Sequence, residues 1–154
     1  MTLTLTSTAF SAGARIPARH TADGEDLSPA LSWGAAPAGC RSFALVCDDP
    51  DAPLAGGWVH WVIFNIPSTT TSLPEGIARD PSLVDGSTQG LNSWSRAGYN
   101  GPSPPRGKPH RYVFKLYALD VTLPLNSHAK ESDLLASMAG HILAETEIIG
   151  LYGR

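Results

Sequence analysis

Apolar and polar positions alternate in three stretches of the chain, Ser42 to Asp48, Val59 to Ile66 and Arg111 to Leu119. Each is rich in β-branched or aromatic residues and bounded by Gly, Pro or Asp, which predicts three strands. In the first, Phe43, Leu45 and Cys47 fall on one side and Ala44 and Val46 on the other. Both sides are apolar, as expected of an interior strand. In the third, a period of two puts His110, Tyr112, Phe114 and Leu116 on one face and Arg111, Val113, Lys115 and Tyr117 on the opposite one. The same period in the second makes His60 the leader of Val62, Phe64 and Ile66, with Trp61 on the other face. Two strands thus begin their apolar rows with a histidine.

Toward the C-terminus the spacing changes. Leu134, Leu135, Met138 and Ile142 recur at intervals of three and four, which predicts a short amphipathic helix capped by Ser132 or Ser127. Beyond it Ala144, Thr146 and Ile148 alternate with Glu145, Glu147 and Ile149, the pattern of a closing strand. Many strands with one late helix predict an all-β protein, a β-sandwich with small helical additions. The 15 glycines and 13 prolines of the 154-residue chain sit between the apolar runs without a fixed period, so they read as shaped turns within a single domain spanning residues 1–154.

Charge narrows the function classes. The net charge of −3 is spread along the chain with no Lys/Arg run, which argues against nucleic acid as a partner. No apolar stretch approaches the ~20 residues of a transmembrane helix. The opening MTLTLTSTAF also lacks the plan of a signal peptide, so a cytoplasmic location is expected. Cys40 and Cys47 are too few for a disulfide framework, and neither is assigned a role.

The chemistry concentrates in two loops. DDPDAPLAGGWVHW, Asp48 to Trp61, joins two strands, and an antiparallel return sets Asp49, Asp51 and His60 at one end of the sheet. GYNGPSPPRGKPHRY, Gly98 to Tyr112, has glycines that permit unusual backbone angles and prolines that stiffen it. Such a loop can aim backbone N–H groups at an anion, and Gly101 and Pro102 enter the candidate ligand-binding set with it. No nucleophile-elbow pattern or supported Ser-His-Asp arrangement occurs, so no catalytic residue is assigned. The alternative is a pocket enzyme using His and Asp as acid and base on a small metabolite. Histidine and aspartate also suit a metal, but no close ligand spacing occurs, and neither metal nor cofactor is expected.

DPDAP at 49–53, GWVHW at 57–61 and GPSPPRGKPHRYVFKLYALD at 101–120, together with DGEDLSPALSW at 23–33 and HILAETEIIGLYGR at 141–154, carry a resemblance over nearly the whole length. The chain resembles the phosphatidylethanolamine-binding protein family, in particular its bacterial Raf kinase inhibitor-like branch. The resemblance implies a two-sheet antiparallel β-sandwich with one or two short helices, and a pocket for a phosphate, a phosphorylated headgroup or a carboxylate, formed by Asp49, Asp51, His60 and His110. Tyr112 would be its wall, and Pro53 and Trp58 its mouth. It also implies a cis Ala52–Pro53 bond, a homodimer, and a regulatory or inhibitory role toward a protein such as a kinase or protease. His20, Ala22 and Ser103 depart from residues frequent among bacterial relatives, which bears on ligand preference. If both pocket histidines bind as imidazolium, anion affinity weakens as pH rises through about 6 to 8.

Overall fold

The computed structural model describes residues 3–154. Its main sheet is built from the three long strands foreseen in the sequence: β2 (Ser42–Asp49), β3 (Trp58–Pro67) and β6 (His110–Leu119). Adding β5 (Thr88–Gln89) and β7 (Ile142–Tyr152) gives the order β5-β3-β2-β6-β7, antiparallel throughout. A second antiparallel sheet pairs β1 (Leu31–Ser32) with β4 (Ser72–Leu73). The only helices among the described residues are a 3-10 turn, Ala18–His20, and α1, Glu131–Met138. The fold is therefore mainly β with two antiparallel sheets, as expected, and among the described residues no helix is long and apolar enough to cross a membrane.

Strand β2 lies at the centre and is apolar on both faces because both are covered. Phe43, Leu45 and Cys47 enter a core with Leu31, Trp33 and Leu73 of the β1–β4 layer and with Phe10 and Ile16 of the N-terminal segment. Ala44 and Val46 join Val62, Phe64, Leu119 and Leu123 in a second core under α1. Burying a large side chain in either layer stabilises the fold by about 1.5–3 kcal/mol.

The helix differs from its prediction. Its N-cap is Lys130, whose backbone N–H donates to Asp133 at 2.9 Å, rather than Ser132 or Ser127. Only Leu134 and Met138 face the core; Leu135 is exposed, and Ile142 belongs to β7. The helix spans just two turns, so a stripe extrapolated to Ile142 overruns it.

Strand β3 is not regular, and this decides where His60 points. On β2 the partners step from Cys47 to Asp48, while on β3 they step from Trp61 to Val59, leaving His60 as an extra residue. A bulge of this kind turns its residue out of strict alternation. Trp61 and Ile63 enter one core and Val62 and Phe64 the other, but His60 turns to the ring of Tyr112, on the side of Trp61. A second shift between Phe43 and Leu45 opposes Ile63 and Ile66, and Asn65 there has a φ of 55°. The continuous row His60, Val62, Phe64, Ile66 expected from the period of two does not exist.

Candidate functional site

The site is assembled at the end of the main sheet where β2 stops, β3 starts and β6 starts. Asp49 closes β2, and its carboxylate is nearly buried. One oxygen, Oδ1, accepts the backbone N–H of Asp51 at 2.8 Å, an Asx turn that starts the loop after the strand. The other, Oδ2, accepts from His110 Nδ1 at 2.7 Å. The carboxylate thereby fixes both the loop and the imidazole. The return to β3 passes through Gly57 at a φ of 76°, where a Cβ would stand 2.6 Å from the Asp49 carbonyl oxygen, so a side chain there would push the loop off the aspartate. No peptide bond among the described residues is cis, so Ala52–Pro53 is trans, contrary to the expectation carried by the resemblance.

His60 is held from another side. Its Nδ1 lies 2.6 Å from the carbonyl oxygen of Asn100, and the Asn100 backbone N–H donates to the His60 carbonyl at 3.1 Å. Asn100 is held in turn by buried Asn92, whose Nδ2 donates to Asn100 Oδ1 at 2.7 Å and to the Gly98 carbonyl at 3.0 Å. Asn92 Oδ1 accepts the backbone N–H groups of Trp94 and Arg96, shaping the turn that presents Trp94. The His60 ring sits edge-on between Trp94, at a centroid distance of 5.1 Å, and Tyr112, at 5.2 Å. Trp58 packs edge-on against Trp94 at 5.4 Å. Such pairs are worth about 0.5–1.5 kcal/mol each beyond their buried area, enough to hold a stiff aromatic wall.

These groups surround a cavity of about 290 Å³, lined by Asp49, His60, His110 and Tyr112 at its base and by Ala52, Pro53, Leu54, Trp58, Trp94 and Ser103–Pro105 around its mouth. Of the nine residues singled out from the sequence, Asp49, Pro53, Trp58, His60, His110 and Tyr112 are brought together here. Asp51, Gly101 and Pro102 are not. The Asp51 carboxylate turns outward and grips Arg111, accepting from its backbone N–H at 2.8 Å and from Nε and Nη2 at 3.0 and 2.9 Å. This pairing holds its carboxyl at about 2, well below the usual range. A carboxylate beside an exposed guanidinium is a rim clamp rather than a pocket group. Gly101 N–H donates to Asp26 Oδ1 at 2.8 Å, and its Cα lies against the His20 carbonyl. The Pro102 carbonyl accepts from Ala22. The loop therefore spends these groups on anchoring itself, while Ser103, Pro104 and Pro105 meet the cavity. Arg154 supports that stretch, donating from Nη1 to the Pro104 carbonyl at 2.9 Å and pairing with Asp23.

Trp94, Asn92 and Asn100 carry no histidine or carboxylate and were not picked out from the sequence. The available signal is the turn-rich run Asn92-Ser93-Trp94-Ser95, in which an Asn followed by small residues favours an Asx turn.

The electrostatics divide the two imidazoles. Burial pushes the His60 pKa down, against the weaker pull of the Asn100 carbonyl and of Asp49 and Asp26. Burial and the neighbouring Asp49 charge push the Tyr112 phenol well up, so it stays neutral. Neither Nε2 has a hydrogen bond to a described residue. No buried side-chain nitrogen or oxygen among the described residues is left unpartnered, so both nitrogens open on the cavity. Among the described residues no three His, Cys, Asp or Glu side chains form a metal-holding group.

Comparison with known proteins places this geometry in context. The model of the phosphatidylethanolamine-binding protein family matches residues 6–153. A protein of Methanothermobacter thermautotrophicus named UPF0098 protein is 51% identical over 152 residues, covering 99% of both chains. The crystal structure of Escherichia coli YbcL, described as a new member of the mammalian family, superposes with a TM-score of 0.93 at 34% identity, covering 100% of this chain and 99% of that one. That of the Chlamydia trachomatis homolog CT736 superposes at 0.90 and 37% identity, covering 99% and 98%.

Proposed function

Because the chain belongs to the phosphatidylethanolamine-binding protein family, we propose that it is a small-anion receptor whose cavity takes a phosphate, a phosphorylated headgroup or a carboxylate. The observation that carries this reading is the Asp49–His110 pair: the carboxylate holds Nδ1 at 2.7 Å and leaves Nε2 directed at the cavity. An arriving anion adds a second negative charge on the other side of that ring, so binding goes with an imidazolium and a charge-assisted hydrogen bond. The apolar mouth of Trp58, Trp94 and Pro53 excludes water around the bound group, which strengthens that bond.

Calorimetric titration with inorganic phosphate and O-phosphorylethanolamine tests the reading. Loss of the charged donor in His110→Ala reduces affinity about tenfold or more; unchanged affinity refutes the assignment. The family resemblance further supports a regulatory role toward a kinase or protease, with the liganded mouth as the surface a partner would read.

A further inference from the structure

The two pocket imidazoles have different partners, and the difference bears on the ligand. The step rests on the receptor reading above. The Asn100 carbonyl can only accept, so His60 Nδ1 carries the proton, and the Asp49 carboxylate imposes the same tautomer on His110. As neutral rings both would offer a bare Nε2 to the cavity. Protonating His110 creates an ion pair with Asp49. Protonating His60 places a charge opposite uncharged backbone groups only, the Asn100 carbonyl and the backbone of Gly101, in a nearly buried ring flanked by Trp94 and Tyr112. The acidic groups that face His60 are already engaged: Asp49 by His110 and the Asp51 N–H, Asp26 by the Gly101 N–H and by Arg79 at 3.4 Å. Tyr112 is neutral, and the other charged group in the cavity is the His110 imidazolium itself, which repels a second cation. Burial adds to the same preference.

We propose that the pocket selects an oxyanion that still carries one acidic proton, with His110 donating from Nε2–H to a charged oxygen and His60 accepting the ligand's O–H at Nε2. A monoprotonated phosphomonoester satisfies both nitrogens. A phosphodiester has the same charge but no O–H, so one of its oxygens would face the His60 lone pair, leaving two acceptors opposed in a dry site. A phosphomonoester dianion meets the same obstacle. The preferred class is the free phosphorylated headgroup or metabolite rather than the diester phosphate of an intact phospholipid.

Methyl phosphate and dimethyl phosphate isolate the proton, since near pH 5 both are essentially monoanions, given a second phosphate pKa of about 6. Calorimetry at that pH should give at least about tenfold tighter binding of methyl phosphate, the worth of one well-made hydrogen bond against an opposed pair of acceptors. The margin should shrink as pH rises and the monoester loses its proton. In His60→Phe it should fall to within about twofold. Because that variant replaces a polar ring, the wild-type complex supplies an independent readout: ¹⁵N-labelled histidine spectra should show His60 neutral with the proton on Nδ1 and His110 as imidazolium. Dimethyl phosphate binding as tightly as methyl phosphate, or an imidazolium signature at His60 in the complex, overturns the proposal while leaving the receptor intact. If inorganic phosphate and both esters fail to bind, the receptor reading falls with it.

Discussion

Asp48 and Asp49 are consecutive residues of one strand, yet they belong to two electrostatic regions. Asp49 faces the cavity, where an imidazole and a backbone N–H answer its charge. Asp48 faces the opposite side of the sheet, where Lys115 stands 3.6 Å away and Glu131 of α1 shares a hydrogen bond with it. On the pocket side the carboxylate meets only donors. On the helix side two carboxyls compete for the one lysine, and burial together with Asp48 pushes Glu131 up to about 7. The first arrangement fixes a geometry, whereas the second stores a proton. A strand's alternation is sufficient to separate the two, because neighbouring side chains leave opposite faces.

The sharpest way to break the comparison is to remove each aspartate in turn. Asp49→Ala leaves His110 Nδ1–H and the Asp51 N–H without their acceptor in a nearly buried place, which costs about 2–4 kcal/mol. Asp48→Ala costs less than about 1 kcal/mol, because it also relieves Glu131. Urea denaturation at neutral pH measures both, and equal losses would show that the two faces are not electrostatically distinct.

Glu131 sharpens the helix side next. Its folded pKa, about 7, lies above the unfolded value, so the native state holds the extra proton between the two. The stabilisation is complete below the unfolded value near 4.5 and is lost as pH rises through about 7. Glu131→Gln should therefore stabilise the protein by about 1–2 kcal/mol near pH 8 and hardly at all near pH 4.5, read as the difference between two denaturation curves.

His60 gives the opposite sign on the pocket side. Its folded pKa is lowered, so the unfolded chain binds the proton first, and its stabilisation is complete above the unfolded value of about 6.5 and declines as pH falls. Replacing the ring by Gln should flatten that acid-side decline by about 1 kcal/mol. A pH profile of the midpoint that keeps its slope would move the proton to another group.

The fold was largely legible because three strands carry a strong apolar alternation, and the core-facing residues of β2 and β6 keep to it. It failed where a residue is inserted: His60 and the Asn65 shift leave no mark in a periodic pattern, since a bulge is set by pairing with a distant strand. The candidate site was legible where the cavity is lined by titratable side chains, namely Asp49, His60 and His110. Trp94, Asn92 and Asn100 were not, because they act through a turn and through backbone carbonyls, which sequence does not spell out. Asp51 was placed in the pocket because it shares a short loop with Asp49, but two residues of that loop suffice to turn its carboxylate outward onto Arg111.

That misplacement supplies the smallest effect and separates clamp from pocket. The Asp51–Arg111 pair is half exposed, so its hydrogen bonds compete with water and salt, and Asp51→Asn should cost only about 0.5–1 kcal/mol. Its folded pKa of about 2 lies below the unfolded 3.8, so the contribution is complete above 3.8 and disappears as pH falls through about 2. About 1 M salt should shrink the difference between Asn and Asp, because the Debye length falls to about 3 Å. Ligand affinity should stay within about twofold of the parent, since the carboxylate neither lines the cavity nor touches His60 or His110. A loss of anion affinity comparable to that of His110→Ala would return Asp51 to the pocket and make the loop, rather than Asp49 alone, the element that separates the two faces of β2.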